Sequence, residues 1–181
     1  MIRAIYDSPD WKHRTGGCVY SYADSVLISV DEIGGKYRGQ SSMLESVMLI
    51  RLLWTLPRQR NKKITLQALK SLVDLSDLTG CGIAALISPF KMYRKNIYDI
   101  GHASRLLRQD QFEVLPDHKA DFEIEGMKRL LTSAGFESGF PLQTVTAVLN
   151  ENFKRDRQFV YIPSTLNAVD RDLLLALKNM P

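Results

Sequence analysis

The chain has little of what marks several common protein classes. Its 181 residues include two cysteines, Cys18 and Cys81, and three histidines. A distant pair of cysteines cannot build a disulfide scaffold. Both flank apolar runs and read as small core residues, expected as free thiols in a reducing cytoplasm. His102, Asp117, His118 and Asp121 have metal-compatible groups. No tight H-x-x-x-H or C-x-x-C spacing joins them, so no metal site is expected. There is no G-x-S-x-G elbow and no G-x-x-x-x-G-K-[ST] phosphate loop. The most apolar run, Val47 to Leu56, is too short to cross a bilayer and contains Arg51, which excludes a membrane span there. Arg3 and Asp7 interrupt the start of the chain, so no secretory leader is expected. Repeats and low-complexity segments are absent.

What remains is an ordinary soluble composition, with 45% hydrophobic residues and a net charge of +4. The length suits one domain with a real core. The modest positive charge permits an anionic ligand or nucleic acid and requires neither.

The patterning predicts alternating strands and helices. Residues 1–12 read as a strand followed by a loop. Gly17 to Tyr22 and Val26 to Ile33 read as two strands, joined by a hairpin connection at Ala23-Asp24-Ser25. Ser41-Ser42-x-x-Glu45 has the form of a capping box, and a helix is predicted from Leu44 to Leu56, stopping before Pro57. Arg58-Gln59-Arg60-Asn61-Lys62-Lys63 reads as a solvated basic linker. Thr65 is placed to cap a second helix, Leu66 to Leu78, which Gly80 ends. Gly82 to Ile87 reads as a strand buried on both faces, closed by Ser88-Pro89-Phe90. Residues 91–122 read as an insertion with a short helix at Ala103 to Arg108. Helices follow at Ile124 to Ser133, Leu142 to Phe153 and Asp170 to Lys178, with a strand at Gln158 to Ile162. The alternation predicts a single-domain α/β fold.

The segment with most chemistry in it is Ile33-Gly34-Gly35-Lys36-Tyr37-Arg38-Gly39-Gln40-Ser41-Ser42-Met43. An apolar run, a basic glycine turn and a helix start would together cradle a phosphate. Backbone N–H groups and the helix dipole face the anion, and Arg38 adds a full charge. The plainer reading is a capped helix start after a glycine turn.

This stretch resembles the strand-turn-helix of the GNAT superfamily of acyl-CoA N-acyltransferases, roughly V-x-P-x-Y-R-G-x-G-x-G/A. The strand ending in Ser88-Pro89-Phe90, and the helix Met127 to Phe136 ending in Gly135-Phe136, resemble two further pieces of that family in the right order. The resemblance implies a mixed central sheet flanked by helices, acetyl-CoA as cosubstrate and an amine as acceptor. It places cofactor contacts on the main chain of Asp31, Glu32 and Ile33, then on Arg38, Gly39, Gln40, Ser41, Ser42 and Met43. It makes Glu32 or Asp31 the candidate general base; adjacent strand residues face opposite ways, so only one can face a given cleft.

The departures bear on activity. Ser41 and Met43 stand where the family has small residues that admit the pyrophosphate. Leu131 stands where it often has a tyrosine that protonates the leaving thiolate, which leaves Tyr93, Tyr98 or Tyr161 as substitutes. The region before the turn is short, and two predicted helices rather than one separate the turn from the strand at Gly82. These departures keep a second class open: a binding or assembly protein that retains the fold without the chemistry. Its partner would be a protein or nucleic acid, held through Lys91, Tyr93, Arg94, Lys95 and Tyr98, where cations and aromatics are mixed. Arg58, Arg60, Lys62 and Lys63 are a weaker candidate for phosphate contacts. The short N-terminal region also predicts a poorly covered sheet face, and with it self-association or a partner chain.

Overall fold

A computed structural model describes residues 1–14, 18–37, 40–60, 62–88, 90–92, 97–109, 111–116, 120–139, 155–168, 171–172 and 175–176. The chain opens with α1 (Ile2–Asp7) and continues into an antiparallel meander of β1 (Trp11–Arg14), β2 (Val19–Tyr22), β3 (Val26–Tyr37) and β4 (Gln40–Thr55). Helix α2 (Ile64–Thr79) then carries the chain to β5 (Gly82–Leu86), which lies parallel to β4. Strands β6 (Phe90–Met92) and β7 (Phe112–Val114) make a separate ribbon, with α3 (Ile100–Arg108) between them in sequence. Helix α4 (Asp121–Ser133), β8 (Glu137–Ser138) and β9 (Gln158–Tyr161) complete the described elements. The main sheet has seven strands in the order β1-β2-β3-β4-β5-β9-β8. Its single parallel pair, β4 with β5, divides it into two antiparallel halves.

Helices cover both faces. On one face, Ile5 of α1, Leu69 and Leu72 of α2, and Ile124 and Leu131 of α4 pack with Ile28, Met48, Ile83 and Phe159 of the sheet. On the other, Ile100, Ala103 and Leu106 of α3 pack with Leu27 and Trp54. The ribbon joins that second layer through Phe90 and Phe112, whose rings meet edge-on at 5.6 Å. The poorly covered sheet face expected from the short N-terminal region is therefore not seen among the described residues. No helix among them is long and apolar enough to cross a membrane.

The mixed α/β architecture agrees with the alternating pattern, and several elements fall where the sequence puts them. The β2–β3 connection is a tight hairpin with Ala23 and Asp24 at φ 47° and 46°. Gly80, at φ 67°, ends α2 in the left-handed conformation that favours glycine. Helices α3 and α4 and strands β5 and β9 match their predicted segments. Arg171, Asp172, Leu175 and Ala176 are helical, as expected for the C-terminal segment, whereas Leu142 to Phe153 lies outside the described residues.

Two assignments need correction. Residues 2–7 form a helix, not a strand, with Ile5 fully buried; the strand starts only at Trp11. More important, Leu44 to Leu56 is not a helix. Leu44 to Thr55 belongs to β4, which pairs antiparallel with β3 from Ser46 to Thr55 with one interruption. Val47, Met48, Leu49 and Ile50 are all buried in succession, because a central strand with helices on both faces hides side chains pointing either way. Such a run has the apolar content of a buried helix, and periodicity alone does not separate the two. With β4 a strand, one helix, not two, separates it from β5.

Candidate functional site

The site is built by a defect in the sheet. From Val47 opposite Gly82 to Ile50 opposite Ala85, β4 and β5 pair in regular parallel register. On its other edge, β4 pairs with β3 until Ser29 opposite Leu52, and the next pair is Val30 opposite Ile50. Arg51 is the extra residue of a β-bulge. A bulge bends its strand and increases the local twist. Past this point β4 stays with β3, while β5 stays with β9, and the Ile87 N–H donates to the Arg157 carbonyl at 3.0 Å. The two halves of the sheet therefore part, and a cleft of about 800 Å³ opens between them.

The bulge also changes which side chains face which layer. Met48 and Ile50 pack on the α2/α4 side, and so does Leu53, three residues on. Leu52 and Trp54 pack on the α3 side. The cleft thus reaches both layers, with Leu53, Leu130 and Leu131 lining one side and Trp54, Phe90 and Ile97 the other.

At the wide end, Pro57 breaks β4 and starts a short 3₁₀ turn, Pro57–Gln59. Arg60 follows, its Nε donating to the Thr55 carbonyl at 3.4 Å. Lys63 takes a left-handed conformation, φ 58°, and α2 begins at Ile64. The Thr55 and Thr65 hydroxyls lie 2.7 Å apart and tie the end of β4 to the first turn of α2. Thr65 is therefore inside the helix and not its cap, and the Lys63 side chain makes no capping bond. The first N–H groups of a helix have no intrahelical acceptor, and its N-terminus carries partial positive charge. Here the exposed side chains of Arg60 and Lys63 line the cleft beside that terminus, with Arg58 and Lys62 exposed next to them. Such an end suits an anion, phosphate above all. Glu123, in the first turn of α4, is the one carboxylate among the described residues lining the cleft, and Ser88, Thr55 and Thr65 supply its hydroxyls.

Asp31 lies on β3 opposite Leu49, beside the bulge and away from the basic end of the cleft. It follows Val30, which faces the α2/α4 layer, so alternation turns it to the α3 side. Its Oδ2 is 3.0 Å from Nε of Arg51 at the bulge, and both side chains are about half exposed or more, 47% for Asp31 and 64% for Arg51. Glu32 and Ile33 continue β3 opposite Met48 and Val47. Arg38 and Gly39 lie outside the described residues. Gln40, Ser41, Ser42 and Met43 begin β4, with Gln40 opposite Tyr37 and Ser41 opposite Lys36. The phosphate cradle expected at 33–45 depended on a helix starting after Ser42. Two antiparallel strands stand there, so no helix starts after Ser42.

The remaining candidates are placed as follows. Asp117 and His118 lie outside the described residues, and no metal-holding cluster occurs among the described ones. The His102 N–H donates to the Asp99 carboxylate at 2.8 Å, capping α3. Lys91 is in β6, Tyr93 to Lys95 lie outside the described residues, and Tyr98 is exposed. Leu131 is 2% exposed and does line the cleft. Tyr161 does not. Its hydroxyl donates to both carboxylate oxygens of Asp77, at 2.9 and 3.0 Å, and burial together with that acidic partner pushes its pKa up to about 12. Asp77 also accepts from the Ser164 N–H at 2.7 Å, so this group fastens the end of α2 to the chain after β9. The sequence reading gives Arg60 and Lys63 only a weaker claim to phosphate contacts, and Thr65 only a capping role, because it places their linker between two helices.

No family model matches the chain, and no curated protein matches it. Among solved structures it is similar to Arabidopsis thaliana NAA60 in complex with a bisubstrate analogue, at a TM-score of 0.34 and 14% identity, over 81% of this chain and 75% of that one. At so loose an overlap the cleft has to be read from its own geometry.

Proposed function

We propose that the cleft binds an acyl-CoA and that the protein transfers the acyl group, acetyl in the simplest case, to an amine, as a divergent member of the GNAT superfamily. One observation carries this reading: two parallel strands part at a bulge, and the cleft between them ends at a basic helix N-terminus. The chemistry of the cleft fits an elongated ligand with phosphates at one end and an amide-bearing arm at the other. Arg60, Lys63 and the N-terminus of α2 would hold the phosphates. Between Arg51 and Thr55, β4 has no ladder partner on its β5 side among the described residues, which leaves strand-edge groups for the arm.

Bound acyl-CoA supplies a thioester carbonyl; the amine nitrogen bonds to its carbon, the carbon–sulfur bond breaks, and the thiol leaves with the proton that the nitrogen gives up. Backbone N–H groups of β4 at the bulge are the donors available to a carbonyl oxygen in the cleft. Asp31, joined to Arg51 at the bulge, takes the first proton of the substrate ammonium, directly or through water, and so frees the attacking nitrogen; the proton released on acylation goes to the leaving thiolate.

The test is the melting temperature with and without saturating acetyl-CoA, with CoA as control. At a hundredfold excess over Kd the expected stabilisation is about 2.7 kcal/mol, and the Arg60→Glu, Lys63→Glu pair removes it. No rise with either ligand overturns the reading. Leu131 favours a second one. It presents a methyl-bearing side chain to the cleft where the family often has a hydroxyl, which suits a protein that holds the cofactor without turning it over. A melting rise with no thiol release on any amine would select that alternative.

A further inference from the structure

Of the three cations lining the cleft, Arg60 and Lys63 belong to its phosphate end, and Arg51 remains. It sits at the bulge, where β4 and β5 begin to part, and its partner Asp31 faces the α3 layer, away from α2. We propose that Arg51 and Asp31 recognise the acceptor, and that the acceptor is an α-amino acid or another amine with an adjacent carboxylate. This rests on the acyl-transfer reading of the cleft.

The argument is one of charge matching. A guanidinium holds a carboxylate through a planar fork of N–H donors, and a carboxylate accepts from an ammonium. A free amino acid carries both charges one carbon apart. It can therefore replace the internal ion pair with two intermolecular ones, its carboxylate on Arg51 and its ammonium on Asp31. The exchange is cheap because the pair is exposed, and exposed pairs contribute little to stability. A simple amine gains only half of this: it engages Asp31 and leaves Arg51 beside its own positive charge. The same arrangement puts the reacting nitrogen on the carboxylate assigned to take its proton. Nearby, Trp54, Phe90 and Ile97 line the cleft on the α3 side, so the side chain best accommodated is apolar.

Calorimetric titration of the CoA-saturated protein separates the possibilities, with L-phenylalanine, L-leucine and L-methionine each compared with its decarboxylated amine. The expected result is binding of at least one amino acid at least tenfold tighter than its amine. Arg51→Leu should abolish that difference, Arg51→Lys should keep part of it, and Asp31→Asn should weaken both ligands. Arg51 and Asp31 are exposed, and the unchanged CoA titration reports that each variant folds. Equal binding of amino acid and amine, no binding of either, or an unaltered preference in Arg51→Leu overturns the proposal. Failure of CoA itself to bind is read separately, in the first titration: it removes the acyl-transfer reading, while amino-acid binding in that protein would still establish the Arg51 site.

Discussion

Two basic connections follow apolar strand segments in this molecule, and the chain does different things after them. Lys36-Tyr37-Arg38-Gly39 connects β3 to β4, and both of its flanks are strands. Arg58 to Lys63 connects β4 to α2, and its second flank is a helix. The first is richer in glycine and looks more like a phosphate loop. The second has unsatisfied helix N–H groups beside its cations and a cleft in front of it. Anion binding depends less on the composition of a turn than on what the chain does after it. A hairpin returns its backbone N–H groups to the neighbouring strand, whereas a helix start leaves them free to point outward.

The comparison breaks first if the stretch after the first turn is not a strand. In an amphipathic surface helix, four consecutive residues circle the axis and at least one of them meets solvent; in a strand covered on both faces, all four are buried. Val47, Met48, Leu49 and Ile50 are all buried. Alanine at Met48, Leu49 or Ile50 is therefore expected to cost about 2–5 kcal/mol each, measured by denaturant unfolding, and a position among the four with almost no loss would contradict the assignment. The next largest effect sets one turn directly against the other. Reversing charge at Arg60 and Lys63 together should weaken CoA binding by at least about a hundredfold, which corresponds to about 2.7 kcal/mol. Arg38→Glu should leave binding within about threefold. Equal losses at the two turns would remove the distinction drawn between them.

How much of this is legible in the sequence follows from the same contrast. Local signals with a single outcome were read correctly: Gly80 after a periodic helix, Ala23-Asp24-Ser25 between two apolar runs, and Gly135-Phe136 after α4. The α/β class followed from alternation. The failure came at Val47 to Leu56, where burial on both faces erases the period that separates strand from helix. That single error places the helix start some twenty residues too early, at Leu44 and not at Ile64. It also created the surplus helix before β5. The bulge at Arg51 was not legible at all, because it is a property of the register between β3 and β4, which no local pattern encodes. The family resemblance offers Glu32 or Asp31 as the base without choosing between them, and the ion pair of Asp31 with Arg51 depends on that same register.

The far end of α2 offers a control. Its N-terminus faces the cleft, while its C-terminal turn is fastened by Tyr161 and Ser164 to Asp77. Tyr161→Phe should cost about 1–2 kcal/mol of stability without altering CoA affinity at a fixed temperature well below melting. The pH dependence has a definite sign. The folded pKa, about 12, lies above the ordinary value of 10.0, so the folded state favours the protonated tyrosine. This contribution is fully present below pH 10 and is lost as the pH rises towards 12. Alkaline melts should therefore converge for the wild type and Tyr161→Phe, and curves that stay parallel across that window would deny Tyr161 the role.

The smallest expected effect separates stability from binding at a single residue. Ala23, Asp24 and Lys63 are the non-glycine residues with positive φ among those described. A side chain held in that region costs free energy that glycine does not incur, partly offset by the greater freedom of glycine in the unfolded chain. Ala23→Gly at the β2–β3 hairpin should thus stabilise the protein by up to about 1 kcal/mol and leave CoA affinity unchanged. Lys63→Gly should stabilise it by a similar amount while weakening CoA binding about tenfold, because the same change removes a cation from the mouth of the cleft. Strain retained at a functional position is expected only where the side chain does something that a relaxed residue cannot. If Lys63→Gly stabilises the protein and CoA still binds equally well, Lys63 is strained for no ligand, and the cations of the second turn owe nothing to the helix that follows them.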